Sequence, residues 1–241
     1  MAIRGVLFDW DGTIARPGAD RVPEACAAVA AYAARELGVE ARAADVERAF
    51  DAVLPNRGPH PGGRAPEICA ILGQAFTWLG WPAAAGDVEA AARLFFEAAC
   101  RGQEVYDDAR AILASLKYRG YRLGVVSNSI FPAAFWHPLI NSLGLAGYLE
   151  TVVSSADVGL AKPSPSPFRR ALADLGLEPH EAIFVGDTPA TDIAGARAAG
   201  LRAVLLDRRG RQREAAGYLV IERLAGLADL LGEGLSPRYG F

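Results

Sequence analysis

From Asp107 onward the chain alternates short apolar runs with amphipathic stretches, and this alternation restricts the fold more than any other feature of the sequence. Asp108 to Tyr118 reads as a helix, Arg122 to Ser127 as a strand, Ala133 to Leu143 as a helix and Thr151 to Ser154 as a strand. Pro167 to Leu175 (helix), Ala182 to Val185 (strand) and Thr191 to Ala199 (helix, closed by Gly200) continue the series. Ala203 to Leu206 and Tyr218 to Ile221 supply two more strands. Strands that alternate with helices form a parallel sheet covered on both faces, so the expected fold is α/β, a doubly wound, Rossmann-like parallel sheet. Near the N-terminus, Val6-Leu7-Phe8 adds a buried strand, followed by the tight turn Asp9-Trp10-Asp11-Gly12.

Residues 15–104 break the alternation. Pro23 to Leu37 is alanine-rich, with proline at its start and Gly38 just past its end, the usual punctuation of a helix. Asp45 to Leu54, Ala65 to Leu79 and Asp87 to Ala99 are further helical patterns, and nothing in the stretch reads as a strand. Pro55 to Arg64 is too rich in glycine and proline for regular structure. The organisation expected is a catalytic core from residues 1–14 and 105–241, with residues 15–104 inserted as a helical cap domain.

Composition narrows function less. A formal net charge of -3 provides no strong attraction to nucleic acid or anionic membrane, and neither is expected as a partner. No apolar run approaches the roughly 18 residues of a membrane helix, and the segment after Met1 has no secretory leader pattern. Cys26, Cys69 and Cys100 form no Cys-x-x-Cys pair; they read as small buried hydrophobes in a reducing compartment, not as disulfides or a zinc site. These features suit a cytoplasmic enzyme, monomer or homodimer.

In an open parallel sheet, ligands bind beyond the carboxyl ends of the strands. Polar residues gather at that edge: Asp9 and Asp11 after the first strand, Ser127-Asn128 after the second, Lys162 in the loop after the third, Asp187 and Asp192 after the fourth. Singly, each has a modest explanation. An Asp after a strand is often a turn former, Ser127 and Asp192 could cap helices, and Lys162 could be a solvated loop residue. Jointly, several carboxylates on one rim repel each other and require a cation. With no His or Cys beside them, a hard oxygen-seeking ion is indicated, and Mg2+ is the common choice next to phosphate. Only Lys117 and Lys162 are lysines among 25 basic residues, which favours a specific use for a compact ammonium at Lys162.

These segments resemble, in order, the four motifs of the haloacid-dehalogenase-like hydrolase superfamily. Asp9-Trp10-Asp11-Gly12-Thr13 is similar to the first, Val125-Val126-Ser127-Asn128 to the second and Lys162-Pro163-Ser164-Pro165 to the third. The run from Gly186-Asp187 through Asp192 to Gly195-Ala196 is similar to the fourth. The match spans both ends of the core, whereas residues 15–104 are similar only as a helical cap between the first two motifs. The resemblance implies a magnesium-dependent phosphatase acting on a small phosphorylated metabolite through an aspartyl-phosphate. Asp9 would be the nucleophile and Asp11 the general acid and base. Ser127 and the amide of Asn128 would hold phosphoryl oxygens, with Thr13 also at the substrate, and Lys162 would add positive charge. Asp9, Asp187 and the backbone carbonyl of Asp11 would ligate the metal, while Asp192 would contact the metal or orient Lys162.

Asp11 separates the branches of the superfamily. The dehalogenase branch resembles this chain but carries Tyr at that position, and the phosphonate-cleaving branch carries a small residue with a cap lysine. Here the position is Asp and residues 15–104 contain no lysine. A phosphomutase or other phosphotransferase would share every catalytic residue and stays open. A silent binding protein would have no use for the full set, and a phospho-accepting receiver domain is about half this length, with no helical insert. The motifs handle only the phosphoryl group, so the cap must read the leaving group. Arg57, His60 and Arg64 in its irregular stretch are the candidates, set against a plain solvated arginine-rich loop.

Overall fold

Val6, Leu7 and Phe8 are wholly buried, as an apolar run covered on both faces must be. They lie in the inner strand β1 (Gly5–Phe8) of a six-stranded parallel sheet. The computed structural model describes residues 2–54, 63–210 and 219–232. The other strands are β2 (Arg122–Ser127), β3 (Thr151–Ser154), β4 (Ala182–Gly186), β5 (Arg202–Leu206) and β6 (Leu219–Ile221), in the order β3-β2-β1-β4-β5-β6. The chain steps outward from β1 to β2 and β3, then returns across β1 to β4. This reversal opens a crevice at the carboxyl end of β1. Phe8 is in register with Val125 on one side and Val185 on the other, so Asp9, Ser127 and Asp187 leave adjacent strands at nearly one level.

The core helices are α5 (Asp107–Tyr118), α6 (Ala133–Ser142), α7 (Ser155–Val158), α8 (Ser166–Asp174), α9 (Ala194–Ala198) and α10 (Gly226–Gly232). The periodicity does not reveal α7, whose four residues are too few to repeat; it is announced only by Ser154, whose hydroxyl accepts from Ala156 N. Nor does it reveal α10. The expected helix from Thr191 to Ala199 instead begins as a wide π turn over Pro189–Ile193 before α9.

Between β1 and α5 come α1 (Val22–Tyr32), α2 (Ala43–Val53), α3 (Ile68–Leu79) and α4 (Ala85–Ala99), with no strand among the described residues. Helix α1 continues as a π turn over Ala33–Leu37 and stops at Gly38 in the left-handed conformation. Helix α3 starts later than its apolar pattern because Glu67 caps it, its carboxylate accepting from Cys69 N and Ala70 N. The cysteine expectation needs correction: all three thiols are free, but only Cys26 is buried and the other two are half-buried. Burial pushes the Cys69 and Cys100 thiols up to about 12.

A chain of rings joins these helices to the core. Phe50 stacks on Phe95 at 5.1 Å, Phe95 and Phe96 approach Phe131 at 6.1 and 4.9 Å, Phe96 approaches Trp136 at 6.3 Å, and Trp136 meets Trp10 edge-on at 5.2 Å. Each well-formed ring pair contributes about 0.5–1.5 kcal/mol beyond its buried area. The two connections between the helical stretch and the core also pair with each other: Arg16 N donates to Glu104 O (2.8 Å) and Tyr106 N to Ile14 O (3.0 Å). A third link joins Gly63–Ala65 to the segment before Lys162, through Ala65 N to Gly159 O and Ala161 N to Gly63 O, both 3.1 Å. Among the described residues no helix is long and apolar enough to cross a membrane.

Candidate active site

Past Phe8 the backbone turns at once. Ile14 N and Ala15 N both donate to Trp10 O at 2.9 Å, and Gly12 N donates to Ala15 O at 2.8 Å. Gly12 has φ +79°, and a Cβ there would overlap the Asp187 carboxylate, so glycine is required by backbone and space together. The turn buries Asp9 and Trp10 and leaves Asp11 open to the cavity above.

Lys162 is 2% exposed, and its ammonium uses all three donors. They reach Asp9 Oδ1 at 2.6 Å, Asp192 Oδ1 at 2.7 Å and the carbonyl of Val126 at 3.0 Å. The second oxygen of Asp192 accepts from Thr188 N at 3.0 Å. Gly186 makes room for this arrangement, since a Cβ there would lie 2.5 Å from Asp192 Cγ. Asn128 closes the other side: Lys162 N donates to its Oδ1 (2.7 Å) and its Nδ2 donates to Lys162 O (3.1 Å). The lysine is thereby held at backbone and side chain alike.

Asp9, Asp187 and Asp192 each offer an oxygen within 4.8 Å of the others. Burial pushes the Asp9 carboxyl up to about 8, against the pull of Lys162 and with help from the charges of Asp192 and Asp187. Burial likewise raises Asp187, with Asp192 adding to it. Asp11 is raised by desolvation at the cavity mouth; Lys162 opposes this and Asp187 reinforces it. Burial alone would lower Lys162, but Asp9 and Asp192 outweigh it and hold the ammonium above its ordinary value. Among the described residues only the Lys162 ammonium is ion-paired with these carboxylates, which leaves them short of positive charge. An all-oxygen donor set in that condition fits a hard divalent ion such as Mg2+.

A cavity of about 480 Å³ opens over these groups. Asp9, Asp11, Ser127, Asn128, Lys162, Asp187 and Asp192 line it, as does Arg64 from the segment paired with residues 159–161. Phe50, Leu54 and Phe95 wall it from the helical side. The structure therefore gathers most of the residues picked out from the sequence. Thr13 is not brought to the cavity lining: it is fully buried, and its hydroxyl has no hydrogen-bond partner among the described residues. The turn at Gly12 carries the chain inward before Thr13. Arg57 and His60 lie outside the described residues. The Asn128 side chain is committed to Lys162, which leaves its backbone amide for a ligand. Thr188, a polar residue at the end of the fourth strand by sequence position, and Thr191, to which the sequence assigns no role, also line the cavity beside Asp187 and Asp192.

A model of the haloacid dehalogenase-like hydrolase family matches residues 3–200. The chain belongs to that family. It is 42% identical to the phosphoserine phosphatase of Thermus thermophilus over 108 residues, which is 45% of this chain and 43% of that protein. The chain thus spans less than half the length of that relative. It is 30% identical to the phosphoglycolate phosphatase of Yersinia pseudotuberculosis over 210 residues, 83% of this chain and 78% of that protein. Among solved structures, the 2-haloacid dehalogenase of Pseudomonas syringae superposes with a TM-score of 0.70 at 25% identity, covering 96% of this chain and 99% of that one.

Proposed function

We propose that this hydrolase is a magnesium-dependent phosphatase that cleaves a small phosphate monoester through an aspartyl-phosphate on Asp9. The observation that carries the reading is the carboxyl of Asp11 at the cavity, two residues beyond a buried Asp9 held by Lys162. A departing halide needs no proton, whereas a departing alkoxide does, and Asp11 can supply it. The names of the two relatives above support the same reading; the dehalogenase neighbour shares the fold, so chemistry must separate it from this chain.

In the first half-reaction a carboxylate oxygen of Asp9 attacks phosphorus, the bond from phosphorus to the leaving oxygen breaks, and Asp11 protonates that oxygen. In the second, the Asp11 carboxylate takes a proton from water, the water oxygen attacks phosphorus, and phosphate leaves with Asp9 restored. The raised Asp11 carboxyl suits the initial acid role. Ser127 and the amide of Asn128 hold phosphoryl oxygens, and Lys162 keeps a fixed positive charge beside Asp9. Asp192, with one oxygen on Lys162 and the other on Thr188 N, orients the lysine. Magnesium, held by Asp9, Asp187 and the Asp11 carbonyl, would neutralise the charge on the transferring group. Residues 15–104 act as the cap that selects the leaving group.

A screen of phosphate monoesters, phosphoglycolate and phosphoserine among them, tests the reading by phosphate release with and without magnesium. Release only with magnesium is expected, with reversible loss in EDTA and inhibition by fluoroberyllate. Halide release from 2-haloacids without any phosphatase activity would instead establish a dehalogenase. Arg64 is proposed to bind an anionic group on the leaving portion. Arg64→Ala is expected to raise KM on the best ester about tenfold with kcat nearly unchanged, while p-nitrophenyl phosphate hydrolysis hardly moves. Equal effects on the two substrates would remove Arg64 from selection.

A further inference from the structure

Arg208 lies just beyond the carboxyl end of β5, on the same edge of the sheet as the site but outside the cavity lining. Its Nε donates to Gly12 O at 3.2 Å and its Nη2 to Thr13 O at 2.9 Å. The same guanidinium forks onto Asp108 in α5, with Nη1 to Oδ2 at 3.0 Å and Nη2 to Oδ1 at 2.9 Å. Asp108 Oδ2 also accepts from Leu224 N at 2.9 Å, which fixes the far end of the pair. The guanidinium carbon stands 3.8 Å from the centroid of the Tyr106 ring. Tyr106 belongs to the second connection to the helical segment, and its amide bonds Ile14 O in the first.

One side chain thus ties together two successive carbonyls directly after Asp11, the start of α5 and the paired connections. Gly12 is the pivot of the turn, and pinning the carbonyls of Gly12 and Thr13 fixes the peptide planes that follow Asp11. We infer that Arg208 is a positioning residue that sets the Asp11 turn and couples it to the joint between core and helical segment. A lysine keeps the charge but cannot span two carbonyls and a bidentate carboxylate at once. Misplacing a reacting group by about 1 Å costs up to about 10² in rate, so a loosened turn is felt in kcat.

The inference rests on the reading of Asp11 as the acid and base, and the test separates the two. Arg208→Lys is measured well below its thermal midpoint, so that only folded protein is assayed. On the best ester, kcat is expected to fall about tenfold or more while KM changes less than about threefold. Amide exchange should quicken at Ile14, Ala15 and Tyr106, and guanidinium ion should restore part of kcat to Arg208→Ala. Asp108→Asn, which spares the bonds to the carbonyls, should reproduce the changes in smaller degree and serves if the Arg208 variants fold poorly. Wild-type kcat in folded Arg208→Lys, or an intact exchange pattern, overturns the inference. If the wild-type protein releases no phosphate from any ester, the phosphatase reading fails alone, and the exchange data still decide whether Arg208 holds the turn.

Discussion

Asp9→Asn is expected to abolish turnover, lowering kcat on the order of 10³ or more, with the fold intact. An amide cannot form the acyl-phosphate, yet it is nearly isosteric with the carboxyl, and its Oδ1 can still accept from the Lys162 ammonium. The amide carries no charge, so the buried position imposes on it no cost of desolvating an ion. Asp192 Oδ1 and Val126 O continue to hold the lysine. Steady-state phosphate release and a thermal melt check both halves of the expectation. Activity within tenfold of the parent would remove Asp9 from the nucleophile's role.

Lys162→Met is expected to damage stability and rate together. The side chain is 2% exposed, and its removal leaves the carboxylates of Asp9 and Asp192 facing each other without a cation. Breaking a buried pair from one side costs about 3–5 kcal/mol, limited here by the ability of Asp9 to take up a proton. The loss of a fixed positive charge beside the transferring group should lower kcat by about 10²–10³. Lys162→Arg should not rescue it, because a planar fork cannot replace a tripod of donors aimed at Asp9, Asp192 and the Val126 carbonyl. Urea unfolding and kcat on the best ester measure the two effects. An arginine variant with near-parental kcat would mean that charge, and not the tripod, is what the site requires.

Much of this protein follows from local patterns. The alternation of apolar runs and helical stretches is enough to specify a parallel sheet, and a parallel sheet sends every strand's carboxyl end to one edge. That rule alone puts Asp9, Asp11, Ser127 and Asp187 in one place, because each lies within a few residues of a strand end. Glycine at position 12 and proline at the start of α1 are likewise legible, since each answers a backbone requirement of its own segment.

Other features arise only when distant segments meet. Lys162 stands 153 positions from Asp9, and although its motif implies a charge at the reacting group and Asp192 as a partner, nothing near it in the chain indicates that a β2 carbonyl will take its third donor. Thr13 belongs to the same motif as the reacting carboxylates, yet the handedness of the Gly12 turn buries it away from the cavity. A helical stripe tells that Phe50 and Phe95 are buried but not that they wall the site, for periodicity names a face and not its neighbour. Arg208 shows the limit most sharply. Its acceptors at Gly12 and Thr13 are backbone carbonyls 196 and 195 positions away, and a carbonyl is the one acceptor that every residue carries. Such a bond leaves no residue-type signature at its accepting end. The sequence determines the order of the elements and the chemistry at the strand ends; only the packed sheet decides which carbonyls an arginine will find.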